Sequence, residues 1–201
     1  MKKICFSLFI LFILSACSSE ESIEKTPKDT DEDTPQIEEI ELPSSIFSSK
    51  KNNTLIDEEE MKQSIKVYLD SSEDLFNASY QFEEIIDSDQ KLNEKELEKF
   101  EHMKKLIKEN DHNFSNYISN NTLPEGYKKD SKRISQYITA SNQLLEELDQ
   151  AINDISEGNF SEVNIGSVIN GSTSANGREQ KKIEDFLDEK NIDTKAFGRK
   201  G

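Results

Sequence analysis

The side chains able to do chemistry are few, and their spacing suits little of it. His102 and His112 are ten residues apart, about 15 Å along one helix. Glu98 lies one turn before His102 and Asp111 adjoins His112, and a carboxylate beside a histidine is a metal-ligating pattern. One helix cannot bring both imidazoles to one ion, so the spacing predicts solvated histidines and no metal site. Gly166-Ser167 and Gly171-Ser172 have no base near them in sequence, and no G-x-S-x-G, H-E-x-x-H, phosphate-loop or calcium-loop pattern occurs. The paired acids Glu83-Glu84 and Glu146-Glu147 fit solvated helix faces. No catalytic residue and no bound cofactor is expected.

The thiols offer a different chemistry. Cys17 follows Leu14-Ser15-Ala16, and ahead of these lie Lys2, Lys3 and an apolar run from Ile4 to Leu14 broken only by Ser7. A positive start, a short apolar core and small residues before a cut are the parts of a secretory signal. The run is too short to cross about 30 Å of hydrocarbon as a helix. Leu14 to Cys17 resembles the lipobox of bacterial lipoproteins. The resemblance implies cleavage between Ala16 and Cys17, a covalent diacylglycerol on the Cys17 thiol, and Cys17 as the mature N-terminus. Two acyl chains give stable anchoring where one is marginal. Cleavage also removes Cys5, which leaves Cys17 as the only cysteine. Acylated, it permits neither a disulfide nor a thiolate site, so stability must come from burial alone.

The formal net charge is −16. Between Ser18 and Ser49 ten acids face only Lys25 and Lys28. So acidic a chain is repelled by phosphate, and nucleic acid is not an expected partner. Residues 17–54 are rich in Ser, Thr, Asp and Glu and hold Pro27, Pro35 and Pro43. That composition predicts a disordered acidic linker. Ile37, Ile40, Leu42, Ile46 and Phe47 interrupt it and could dock weakly on the body.

From Ser44 to Leu123 there is neither glycine nor proline, which favours long helices. Asp57 with Glu60, and Asn93 with Glu96, mark two helix starts as capping boxes. Apolar positions then recur by fours and threes. Met61, Ile65, Tyr68, Ser72, Leu75, Ser79, Phe82 and Ile86 form the first seam, with a turn at 87–91. Phe100, Met103, Ile107, Asn110, Phe114 and Tyr117 form the second, which ends before Leu123-Pro124. Ile134, Ile138, Ser141, Leu145, Leu148, Ile152 and Ile155 form the third, stopped at Gly158. Beyond it, a short strand is one option for 160–169, 172–177 reads as a loop, and a short helix is expected over about 178–190. The fold class is all-α: an elongated antiparallel three-helix bundle over 55–157, with a small loop-plus-helix appendage over 158–201. Signal peptide (1–16) and tether (17–54) precede it.

Asn110 stands where the second seam calls for an apolar residue. It opens Asn110-Asp111-His112-Asn113-Phe114. Ser72, Ser79 and Ser141 interrupt the seams similarly. Such residues form a buried polar layer that fixes register, or a patch that binds something. Asn110-Asp111-x-x-Phe114, with Asn-Asn-Thr-Leu-Pro-Glu-Gly-Tyr at 120–127 and the lipobox, resembles the NDxxF-motif lipoproteins of Gram-positive bacteria. The resemblance spans the chain and implies a membrane-anchored surface protein. It carries no activity.

These features point to a lipid-anchored protein on the extracytoplasmic face of the cell membrane. It would be a non-enzymatic module binding a protein or cell-envelope partner. The alternative is an envelope enzyme or enzyme accessory with 158–177 as a loop over a site. A transporter's solute receptor is disfavoured, because no strand–helix alternation is present.

Overall fold

The computed structural model describes residues 40–87, 93–156 and 174–199. The described residues are all-α. Four helices, α1 (Glu58–Asp87), α2 (Glu94–Asn120), α3 (Lys128–Ser156) and α4 (Gly177–Lys190), are followed by a 3₁₀ turn at Ala196–Gly198. They lie within one compact unit, Thr34–Gly201. Residues 1–39, with the expected leader and the lipobox with Ala16 and Cys17, residues 88–92, with all but Asp87 of the turn expected at 87–91, and residues 157–173 lie outside the described residues.

The helix starts follow local chemistry. Asp57 accepts the Glu60 N–H at 2.8 Å, and three glutamates fill the first turn of α1, where the helix dipole favours negative charge. Asn93 accepts the Glu96 N–H at 3.1 Å while Glu96 accepts the Asn93 N–H at 2.7 Å, a reciprocal capping box. Asn176 caps α4 through the N–H groups of Arg178 and Glu179. At its other end Asn191 takes the left-handed conformation (φ 54°), the usual helix stop after glycine. Gly126 has φ +84° in the turn before α3, where an added Cβ would also press on the Lys190 ammonium.

Packing follows chain order: α1 on α2, α2 on α3, and α3 on α4. Tyr68 meets Phe114 and Phe82 meets Phe100, so α1 and α2 run in opposite directions. The main core combines Met61, Ile65, Tyr68 and Leu69 of α1 with Phe114 and Tyr117 of α2 and Ile134 of α3. Ile183, Phe186 and Leu187 enter the same core; their i, i+3, i+4 spacing puts all three on one face of α4. A second cluster holds Leu75, Ala78, Phe82 and Met103.

Residues 40–54, assigned with the disordered linker with Ile40, Leu42, Ile46 and Phe47 as residues that could dock, are tied to the body at those positions. Ile40 (1% exposed) enters the second cluster, and Phe47 (4%) enters the main core with Ile56 (1%). The physical reason is the spacing of these three apolar anchors within polar sequence. Ile40 joins Leu75, Ala78, Phe82 and Met103, and Phe47 meets Phe114 and Tyr117, while the polar residues from 48 to 53 stay exposed. We call residues 40–56 the strap.

The other end of the chain is tied to α1. Asp70 accepts from the Thr194 hydroxyl at 2.6 Å and the Lys195 N–H at 3.0 Å, and pairs with Lys66 at 2.9 Å. Lys195 reaches Asp74 at 2.5 Å and Arg199 reaches Asp188 at 2.7 Å. The basic residues near the C-terminus are therefore partly spent inside the fold.

Candidate functional site

Asn110, Asp111 and Phe114 sit where α2 meets α1, α3 and the strap. A helix places residues three and four apart on one face, so Asn110, Asn113 and Phe114 are presented together. Asn110 is buried (1% exposed), and its side chain is well satisfied. Its Oδ1 accepts the Phe47 N–H at 2.9 Å. Its two N–H groups donate to the Tyr68 carbonyl (3.2 Å) and the Ser72 Oγ (2.9 Å). The Ser72 hydroxyl in turn donates to the Tyr68 carbonyl at 2.8 Å. Two polar interruptions of two seams thus meet each other. Asn113 completes the grip by donating to the Phe47 carbonyl at 3.0 Å. Both main-chain groups of Phe47 are held by asparagines of the motif.

Asp111 looks the other way, toward α1 and α3. One carboxylate oxygen accepts from the Tyr68 hydroxyl at 2.8 Å and the other from Asn142 at 3.0 Å. Burial pushes its pKa up, and the hydrogen bonds from Tyr68, Asn142 and Thr139 only partly offset that. Burial, then the Asp111 charge and hydrogen bond, push the Tyr68 phenol well above its ordinary value. Phe114 stacks on the Tyr68 ring with centroids 4.1 Å apart and planes 4° from parallel. The Phe47 ring meets Phe114 and Tyr117 edge-on at 5.3 Å. Such ring pairs contribute about 0.5–1.5 kcal/mol each beyond their burial.

Between Asn110, Asp111, Ser72, Ile107 and Asn142 lies a cavity of about 10 Å³, the room of one water molecule. In chemical terms the cluster holds three helices and the strap in register.

A second set of contacts extends the grip. Asn121 accepts the Thr54 N–H at 2.9 Å and donates to the Lys51 carbonyl at 3.1 Å. Leu55 and Thr122 form a parallel bridge. The strap therefore runs alongside α2 from the level of Met103 to Thr122.

The histidines are both exposed. His112 Nε2 lies 2.8 Å from the Asn116 amide, and nothing brings His102 to it. Among the described residues, no three His, Cys, Asp or Glu side chains are grouped to hold a metal ion. Glu146 pairs with Lys108 across α2 and α3 at 3.3 Å. Gly166-Ser167 and Gly171-Ser172 lie outside the described residues.

Sequence reasoning missed the partners: Phe47, Tyr68, Asn113, Asn121 and Asn142. Two signals pointed to them. Phe47 is an aromatic residue in an acidic stretch, and Asn113 sits on the same helix face as Asn110. Asn113 donates to the strap at the Phe47 carbonyl, where the pattern leaves its position open.

No family model, curated protein or solved structure matches the chain. The likeness to NDxxF-motif lipoproteins therefore rests on its own residues.

Proposed function

We propose that the chain is a lipoprotein anchored through Cys17 on the extracytoplasmic face of the cell membrane, where its helical body binds a protein or cell-envelope partner without catalysing a reaction. The observation that carries this is Leu14-Ser15-Ala16-Cys17 behind Lys2, Lys3 and an apolar run. No helix among the described residues is long and apolar enough to cross a membrane, which is compatible with anchoring by acyl chains. The body is an elongated antiparallel bundle of α1, α2 and α3 with the C-terminal part packed against it. The side chains of Asn110, Asp111 and Asn113 bond to the strap and helices, which supports a role in holding the body rather than in contacting a ligand.

The test is metabolic labelling with an alkyne fatty acid in a Gram-positive host that expresses the full chain. The wild type should carry the label and fractionate with membranes. Cys17→Ala should lose the label and retain its leader. Equal labelling of both forms would contradict the anchor.

A further inference from the structure

The strap is bound as a ligand would be. Four main-chain groups are read by three asparagine side chains of α2 and its end: the N–H and carbonyl of Phe47, the carbonyl of Lys51 and the N–H of Thr54. Main-chain recognition accepts any extended segment, and side-chain pockets then set which one. Here the pockets are filled by Ile40, Phe47 and Ile56. Between Phe47 and Ile56 the chain stays on the surface, and Leu55 is 74% exposed. Leu42 and Ile46 pack on the second cluster, and the N–H groups of Asn53 and Ile56 and the Thr54 carbonyl bond to the main chain of Asn120 and Thr122, so the whole set of strap contacts is made by one continuous segment.

The junction to the body is short. Asp57 alone separates Ile56 from α1. Its two bonds, to the N–H groups of Glu60 and Met61, are local to α1 and do not depend on where the strap lies. We propose that the groove between α1 and α2 takes the strap of a second copy, so that two chains exchange residues 40–56. A second copy is the partner whose fit is already visible: it brings the same three anchors at the same spacing and the same main-chain groups. Exchange re-makes each strap bond in trans, and a short hinge next to a detachable segment is the usual setting for it. It needs only the groove and does not depend on acylation of Cys17.

The experiment uses the full chain in detergent micelles and a fluorescein-labelled synthetic peptide of residues 40–56. Phe47→Ala weakens the chain's own strap and leaves the groove intact. The peptide should bind this variant at least about tenfold more tightly than the wild type, whose groove is filled for most of the time. A peptide with the same substitution should not bind. If Phe47→Ala loses its helical circular dichroism, the unsubstituted peptide should restore it, and Phe47→Leu offers a milder opening of the same site. A mixture of Phe47→Ala and Asn110→Ala chains should then give mixed dimers by native mass spectrometry. One supplies the groove and the other the strap. Failure of the peptide to bind or rescue either Phe47 variant would overturn the proposal, as would binding without mixed dimers.

Discussion

Asn110 is buried and carries three hydrogen bonds, so its removal leaves polar partners without bonds. Asn110→Ala should cost about 1–3 kcal/mol, read as a lowered urea midpoint. Two half-buried carboxylates should titrate with opposite signs. Asp111 has its folded pKa raised above the usual 3.8. The stability this gives is full below the usual value and is lost as pH rises through the folded one. The stability difference between wild type and Asp111→Asn should therefore favour the wild type most in acid and shrink toward neutral pH. Asp70 behaves in reverse. Burial opposes its charge, but Thr194, Lys66 and the Lys195 N–H hold its pKa below the usual 3.8. Its contribution is present above that value and lost as pH falls through the folded pKa. Asp70→Asn should cost about 1.5–3 kcal/mol near neutrality, and the deficit should fade in acid unfolding series. Asn110 was legible as a polar break in a seam. Its partners were not, because Phe47 and Asp111's two partners lie 63, 43 and 31 residues from the groups they meet. Periodicity reports which face a residue occupies, and no local pattern reports what lies across from it.

α1 and α2 were legible because three independent signals agreed: apolar spacing, capping pairs and absence of glycine and proline; α3 rested on apolar spacing and the stop at Gly158, and α4 on one apolar face. The observed bounds of α1, α2 and α4 fall within a few residues of those signals. The strap carried none of them. It has no period, it adjoins the acidic stretch although it holds only Glu41 against Lys50 and Lys51, and its three anchors are seven and nine residues apart, so the composition of the whole 17–54 stretch outweighed them. Its weight in the fold is checked by Phe47→Ala. Loss of a buried aromatic typically costs about 3–5 kcal/mol, and the urea midpoint should fall more than for any single polar change in the motif. A midpoint within error of the wild type would mean that the strap adds nothing to the core.

Among the described residues, the segment that leads into α1 is itself part of the core through Ile40, Phe47 and Ile56. That arrangement predicts an order of proteolysis. Trypsin should cut at Lys50 and Lys51 later in the wild type than in Phe47→Ala, although both lysines are exposed, because cleavage within the strap first requires it to lift. Mass spectrometry of timed digests reads this directly. The most direct single check is amide hydrogen exchange at Phe47, whose N–H is held by Asn110 at 2.9 Å. If the motif clamps the strap, that amide is protected in the wild type. It then loses protection selectively in Asn110→Ala, while amides of α1 such as Ile65 keep theirs. Exchange of the Phe47 amide at the unfolded rate in the wild type would contradict the clamp.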